Sequence, residues 1–234
     1  MLVEIYSDVV CPWCYIGKRR FEAALAQYPR RDEITVVWKP YQLDPSARST
    51  GTPVAEAYAK KFGGPEQAER IIRTVSDTAA TVGLDFHMDI ALRANTLDAH
   101  RVIAMAHTVG KAVLQDAMKE RLLLAYFTQG RDVGDHAELS RLAAEVGLDG
   151  DAVMEMLAGD VGKAEVRAEL AAAADQDITS VTTFLFYASW CVPGAQEPDT
   201  FLRVLDRLMP DIDMSLACEG DACEVAQPST ADAG

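Results

Sequence analysis

No apolar run in this sequence approaches the roughly 18 residues that a helix needs to cross a bilayer, so no membrane-spanning segment is expected. The opening Met1-Leu2-Val3-Glu4-Ile5-Tyr6 lacks a basic n-region and a small-residue cleavage site, and a cytoplasmic location is predicted. Positive charge is scarce as well: 22 Lys and Arg stand against 36 Asp and Glu, a formal net charge of −14. A surface of that sign repels phosphate backbones and anionic headgroups, which argues against nucleic acid and membrane partners. Cysteines, five in 234 residues, are too few for a disulfide framework, and a reducing compartment keeps exposed thiols open. None of these absences sets an oligomeric state.

What is present is a chain with 49% hydrophobic residues, enough for one sizeable core or for a core domain that carries a second lobe. Leu2 to Tyr6 suits a short buried strand, and Ile16, Phe21, Ala24, Leu25 and Tyr28 fall at roughly helical spacing. Ile34-Thr35-Val36-Val37-Trp38 is β-branched and aromatic, which predicts a second strand and a β-α-β unit closed by about residue 43. From about Ala55 to Ala174 nearly everything reads as helix, broken at Gly63-Gly64, Gly83, Gly110, Gly130, Gly147 and Gly150. Thr183 to Tyr187 reads as a strand, Trp190 to Val192 as its partner, and Thr200 to Met209 as a last helix. The expected organisation is an α/β domain from residues 1–54 and 163–209, an all-helical insertion over 55–162, and a flexible acidic tail over 210–234.

The cysteines fall as a close pair at Cys11 and Cys14, a wider pair at Cys218 and Cys223, and a single Cys191. Cys11-Pro12-Trp13-Cys14 lies between the first strand and the first helix, so Cys11 sits near a helix N-terminus, where unpaired N–H groups and the helix dipole favour a thiolate. Pro12 suits the first helical position because its missing N–H has no intrahelical partner there. Three residues apart on a helix, Cys11 and Cys14 share a face at a separation that a disulfide can bridge. The roles that follow are Cys11 as an exposed nucleophile and Cys14, one turn inward, as the thiol that resolves its mixed disulfide. Neither Pro12 nor Trp13 can place a positive charge beside Cys11, so the helix terminus is expected to supply most of the thiolate stabilisation. Half of a zinc site shared with Cys218 and Cys223 is the alternative, disfavoured because a metal knuckle seldom opens a strand–helix unit. With this motif, β-α-β followed by β-β-α reads as a thioredoxin-like fold with a large helical insertion.

The sequence resembles the DsbA family of oxidoreductases, and in particular its FrnE-like branch, over nearly the whole chain. The resemblance is carried by Ser7 to Gly17 around the cysteines, Tyr41-Gln42-Leu43-Asp44-Pro45, Asn95 to His100, Ala125-Tyr126-Phe127 through Gly130 and Asp132, and Gly194-Ala195-Gln196. It implies exchange with protein or small-molecule thiols and disulfides, no bound metal or cofactor, glutathione as a candidate co-substrate, and a second redox pair at Cys218 and Cys223. Closing that short loop contributes only about 2 kcal/mol of chain constraint, so the pair suits a relay to Cys11–Cys14 better than a staple, with an independent, surface-exposed pair as the equal alternative. One departure stands out: where the family carries a cis-proline facing the cysteines, this chain has Val181-Thr182, with Thr182 in the proline slot. A cis bond before a non-proline residue costs about 2.5 to 4 kcal/mol, which leaves cis and trans both open, and the Thr182 hydroxyl is a candidate neighbour of Cys11.

Among other candidates, Tyr41, His100, Tyr126 and Phe127, together with Phe21, are candidates for a hydrophobic groove between the lobes, although aromatics at helical spacing more often build core. Asp8 suits a cap or loop role, Asn95 or Thr96 a helix N-cap, and Cys191 a buried inert thiol. Two rival functions share the architecture. One is a glutathione-dependent isomerase or transferase of the kappa-like group, disfavoured by the presence of both cysteines. The other is a non-catalytic, chaperone-like binding protein.

Overall fold

The structure, a computed structural model, describes residues 1–210. β1 (Leu2–Ser7) leads into α1 (Pro12–Gln27), a 3-10 turn at Arg31–Glu33 and β2 (Thr35–Pro40). Six helices follow: α2 (Val54–Phe62), α3 (Pro65–Ala80), α4 (Leu97–Phe127), α5 (His136–Glu145), α6 (Gly150–Ala158) and α7 (Lys163–Asp175). β3 (Thr183–Phe186), β4 (Trp190–Pro193) and α8 (Pro198–Leu208) complete the described residues. The strands form one sheet in the order β2-β1-β3-β4, with β1 parallel to β2 and antiparallel to β3. This is the β-α-β then β-β-α layout of a thioredoxin-like fold, with helices inserted between its halves.

Strand alternation decides which helices cover which face. In β3, Phe184 and Phe186 point one way and meet Phe21 of α1 and Phe201 of α8, with ring centroids 4.6–6.2 Å apart. Val3 and Ile5 of β1, paired in register with Phe186 and Phe184, are buried on the same side. Leu185 points the other way and packs with Tyr6, with Ala173 of α7 and with Ile178. Edge strand β2 is closed off by a side chain: the Gln115 amide of α4 donates to Trp38 O (2.9 Å) and its oxygen accepts from Trp38 N–H (3.0 Å). That places α4 alongside the strand and prevents further strand pairing there. Lys18 and Arg19 of α1 pair with Asp116 and Glu120 of α4, clasping the insertion to α1.

The insertion is less uniformly helical than expected. Residues 81–96 form an irregular strap whose backbone bonds run to other segments: Val54 N–H to Ala91 O (2.9 Å), Arg93 N–H to Thr52 O (2.8 Å) and His87 N–H to Phe127 O (2.7 Å). Phe86 in the strap stacks on Phe127 at 4.4 Å. Gly110 marks a bend inside α4 and leaves its two halves joined, with Lys111 at φ 58°. Gly150 opens α6 instead of ending a helix, because Asp149 before it accepts from the Asp151 and Ala152 N–H groups and caps the new turn. Residues 211–234, with Cys218 and Cys223, lie outside the described residues.

Candidate active site

Four residues carry the chain from β1 to α1, and the last of them, Cys11, is the N-cap of the helix. Its backbone is extended (φ −93°, ψ 114°), Pro12 occupies the first helical position, no side chain caps the first turn and no acid lies in it. The positive end of α1 therefore faces the Cys11 sulfur, opposed by the charge of the buried Asp8 in the turn before it. Cys11 and Cys14 are both free thiols, linked through the backbone by Cys14 N–H to Cys11 O at 3.0 Å.

The expected exposure of Cys11 needs correction. The residue is only 3% exposed, yet it forms part of the wall of a cavity of about 640 Å³ together with Pro12, Trp13, Tyr58, Tyr126 and Val181. Trp13, 40% exposed, stands at the outer side. Cys14 is fully buried and does not reach the cavity. The cavity thus gives access to Cys11, whereas Cys14 is closed to solvent.

Beneath the pair lies a polar cluster that the linear motif does not contain. Asp8 is buried, and its carboxylate accepts from the Val9 and Leu43 N–H groups, each at 2.8 Å, so it pins the turn and the loop after β2 without capping α1. His100 Nε2 lies 2.9 Å from Tyr41 O and 3.4 Å from Asp8 Oδ1; a carbonyl only accepts, so Nε2 carries the hydrogen. Lys119 of α4 is also buried and donates to Ser7 O at 3.3 Å. The two thiols titrate as a pair. The Cys14 hydrogen bond and burial push Cys11 up. Cys14, although burial opposes it, is drawn down by its hydrogen bond with Cys11, by the Lys119 charge and by the Ser7 hydroxyl, which has no other partner among the described residues. These directions favour the proton on Cys11 and the first negative charge on Cys14, while of the two only Cys11 lines the cavity.

Several expected groove residues sit elsewhere. Of Tyr41, His100, Tyr126 and Phe127, Tyr126 lines the cavity. The Tyr41 hydroxyl donates to Thr179 O (3.0 Å) on another side of the loop, His100 is turned onto Asp8, and Phe127 is consumed in stacking with Phe86 and Tyr15. Phe21 belongs to the sheet-facing aromatic cluster. The Val181–Thr182 peptide is cis. The Thr182 hydroxyl donates to Tyr6 O (3.3 Å) and so is engaged with β1 instead of Cys11, and its methyl faces Gly17. Cys191, expected to be buried, is exposed, because β4 is an edge strand and turns it outward. Asn95 caps α4 from one position before the N-cap: its side-chain oxygen accepts from Leu97 N–H (3.0 Å), while Thr96 makes no cap bond.

Tyr58, Lys61, Arg93 and Lys119 are the site residues that the motif did not indicate. For Lys119 a signal existed: with Gln115 it interrupts the stripe Met118, Leu122, Leu123, Tyr126 at helical spacing, so a charged residue falls on a buried face.

Comparison with known proteins places this geometry among relatives. Residues 2–206 match the DSBA-like thioredoxin domain family. The uncharacterized protein YwbO of Bacillus subtilis (strain 168) is 27% identical over 205 residues, covering 87% of this chain and 94% of that protein. The structure of the probable DsbA oxidoreductase SCO1869 from Streptomyces coelicolor matches with a TM-score of 0.82 and 34% identity, over 88% of this chain and 89% of that one. The cytosolic disulfide reductase DsbM from Pseudomonas aeruginosa, solved with GSH, shares the fold at a TM-score of 0.62 and 18% identity, over 89% and 98% of the two chains.

Proposed function

This chain belongs to the DSBA-like thioredoxin domain family, and from that premise we propose that it is a thiol–disulfide oxidoreductase working through Cys11 and Cys14. The observation that carries the reading is the division of access, with Cys11 on the cavity wall at an uncapped helix N-terminus and Cys14 sealed behind it.

The chemistry follows from that division. The proton shared by the pair moves to Cys14, and the Cys11 thiolate attacks one sulfur of a substrate disulfide. A Cys11–substrate bond forms, the substrate S–S bond breaks, and the departing thiolate takes a proton. Cys14, deprotonated in turn, attacks Cys11 and releases the second substrate thiol. The dithiol enzyme and R–S–S–R thereby give the disulfide enzyme and two R–SH, and the reverse sequence oxidises thiols. If a second substrate thiol attacks the mixed disulfide before Cys14 does, the outcome is isomerisation. A cavity of about 640 Å³ is large enough for a small disulfide such as that of glutathione, whose carboxylates would meet Lys61 in the wall, beside Lys60 and Arg93, which are paired with Glu56 and Asp44.

The test is alkylation of the reduced protein as a function of pH, together with single cysteine variants. Cys11→Ser is expected to abolish turnover of a disulfide substrate. Cys14→Ser is expected to accumulate a stable adduct on Cys11 that dithiothreitol releases. Turnover that survives Cys11→Ser, or a Cys11 inert to alkylation in the folded protein, would overturn the reading.

A further inference from the structure

Lys119 takes no part in the exchange just described, yet it is 1% exposed and its ammonium meets the last residue of β1, close enough to the cysteines for their charges to act on one another. Among the described residues its ammonium has one hydrogen-bond acceptor, Ser7 O, and lies 5.4 Å from the centre of the Trp38 ring. No carboxylate bonds to it. The nearby acids Glu22, Asp116 and Glu120 are committed to Lys18 and Arg19. The charged groups that face Lys119 are Cys11, Cys14 and Lys18 from α1 and Asp8 from the turn, while β2 presents only the Trp38 ring and Gln115 on its own helix is bound to the Trp38 backbone. Lys18 repels it. Asp8 is already held by two backbone N–H groups and lies against His100.

A buried ammonium with a single carbonyl partner keeps its charge only when an anion is close. The Asp8 side chain is there in both redox states; the thiolate of the cysteine pair is present in the dithiol and gone in the disulfide. Burial brings Lys119 down to about 8, while Cys14, Asp8 and Cys11 pull in the opposite direction. The lysine is therefore poised where loss of one neighbouring charge decides its protonation.

We propose that Lys119, supplied by the helical insertion, is the countercharge of the Cys11–Cys14 thiolate and takes up a proton when the disulfide is reduced. The inference rests on the redox role of that pair. With a thiol as reductant, the disulfide enzyme with neutral Lys119 and two R–SH give R–S–S–R, one cysteine thiol, one cysteine thiolate and the Lys119 ammonium. Two electrons enter the S–S bond; of the two protons released, one stays on sulfur and one goes to nitrogen. Lys119 acts through Cys14 and is a positioning residue, and the insertion thereby tunes the redox equilibrium of a site built by the other half of the fold.

Two measurements test this. In the full-length wild-type protein with 13C-labelled lysine, the Lys119 ε-carbon is expected to titrate at least about one pH unit lower in the disulfide form than in the dithiol form, a tenfold change in its proton affinity. In Lys119→Met, checked for folding by urea unfolding, equilibration with glutathione is expected to shift at least about tenfold toward the disulfide, roughly 30 mV, with the thiolate absorbance appearing at higher pH. Equal Lys119 titration in both redox states overturns the inference, as does an unchanged equilibrium and thiolate profile in a folded Lys119→Met. A wild-type pair that never cycles overturns the oxidoreductase reading itself.

Discussion

Gly17 lies inside α1, one turn after Cys14, and its replacement by alanine sets two known effects against each other. In a helix interior alanine is favoured over glycine by about 1 kcal/mol, so Gly17→Ala would stabilise the protein if nothing stood beside it. Here a Cβ would lie 2.8 Å from Thr182 Cγ2 and 3.4 Å from Ala195 Cβ. Thr182 is 1% exposed, and its hydroxyl bonds to Tyr6 O, so χ1 is held and the methyl cannot swing aside without breaking that bond. Overpacking of this kind costs about 1–3 kcal/mol, which outweighs the propensity gain and leaves a net loss of about 1 kcal/mol. Thr182→Ser removes the obstructing methyl and by itself costs about 1 kcal/mol of buried apolar contact. In the double variant the clash is gone and the helix gain returns, so the two changes couple by about 2 kcal/mol. Urea unfolding of the four proteins measures the cycle. Stabilisation by Gly17→Ala alone, or additivity within about 0.5 kcal/mol, would refute the proposed contact between the active-site helix and the Val181–Thr182 loop.

Two further outcomes are expected. Arg101 is fully buried and donates to the carbonyls of Met156, Gly159 and Val161 and to Asp98, so Arg101→Met takes the side-chain donor from three carbonyls and leaves Asp98 with His136 alone. A loss of about 3–5 kcal/mol in urea unfolding is expected, and a loss below about 1 kcal/mol would show that the α6–α7 turn can satisfy itself. Tyr58, on the cavity wall, is pushed up to about 12 by burial, with the negative charge of Cys11 adding to the effect. A raised phenol pKa contributes stability that is complete below the unfolded value of about 10 and is lost as pH rises through the folded value. Stability should therefore fall between about pH 10 and 12 more steeply in the wild type than in Tyr58→Phe, and identical alkaline slopes would contradict it.

The groove residues show where reading along the chain reaches its limit. Tyr41, His100 and Phe127 have the right chemistry for a cleft and fall in segments that surround it, yet each side chain is turned elsewhere, onto Thr179 O, Asp8 and Phe86 respectively. Tyr58 and Arg93 came from the opposite situation: they lie in α2 and in the strap over 81–96, which the sequence presented as featureless helix. The irregular strap could not be foreseen because its backbone partners, Thr52, Val54 and Phe127, are distant in the chain.

By itself the sequence determined the alternation of strand and helix, the sheet halves on either side of a helical insertion, and the placement of Cys11-Pro12-Trp13-Cys14 at the start of α1. These depend on local periodicity and on the backbone chemistry of a helix terminus, which neighbouring residues specify. Only the tertiary structure decided that Cys11 opens into a cavity while Cys14 does not, that Asp8 ties the turn to Leu43, and that Lys119, more than a hundred residues from the cysteines, brings a buried positive charge to bear on Cys14. Access, burial and electrostatic neighbourhood are properties of which segments pack together, and in this fold those segments come from both sides of the insertion.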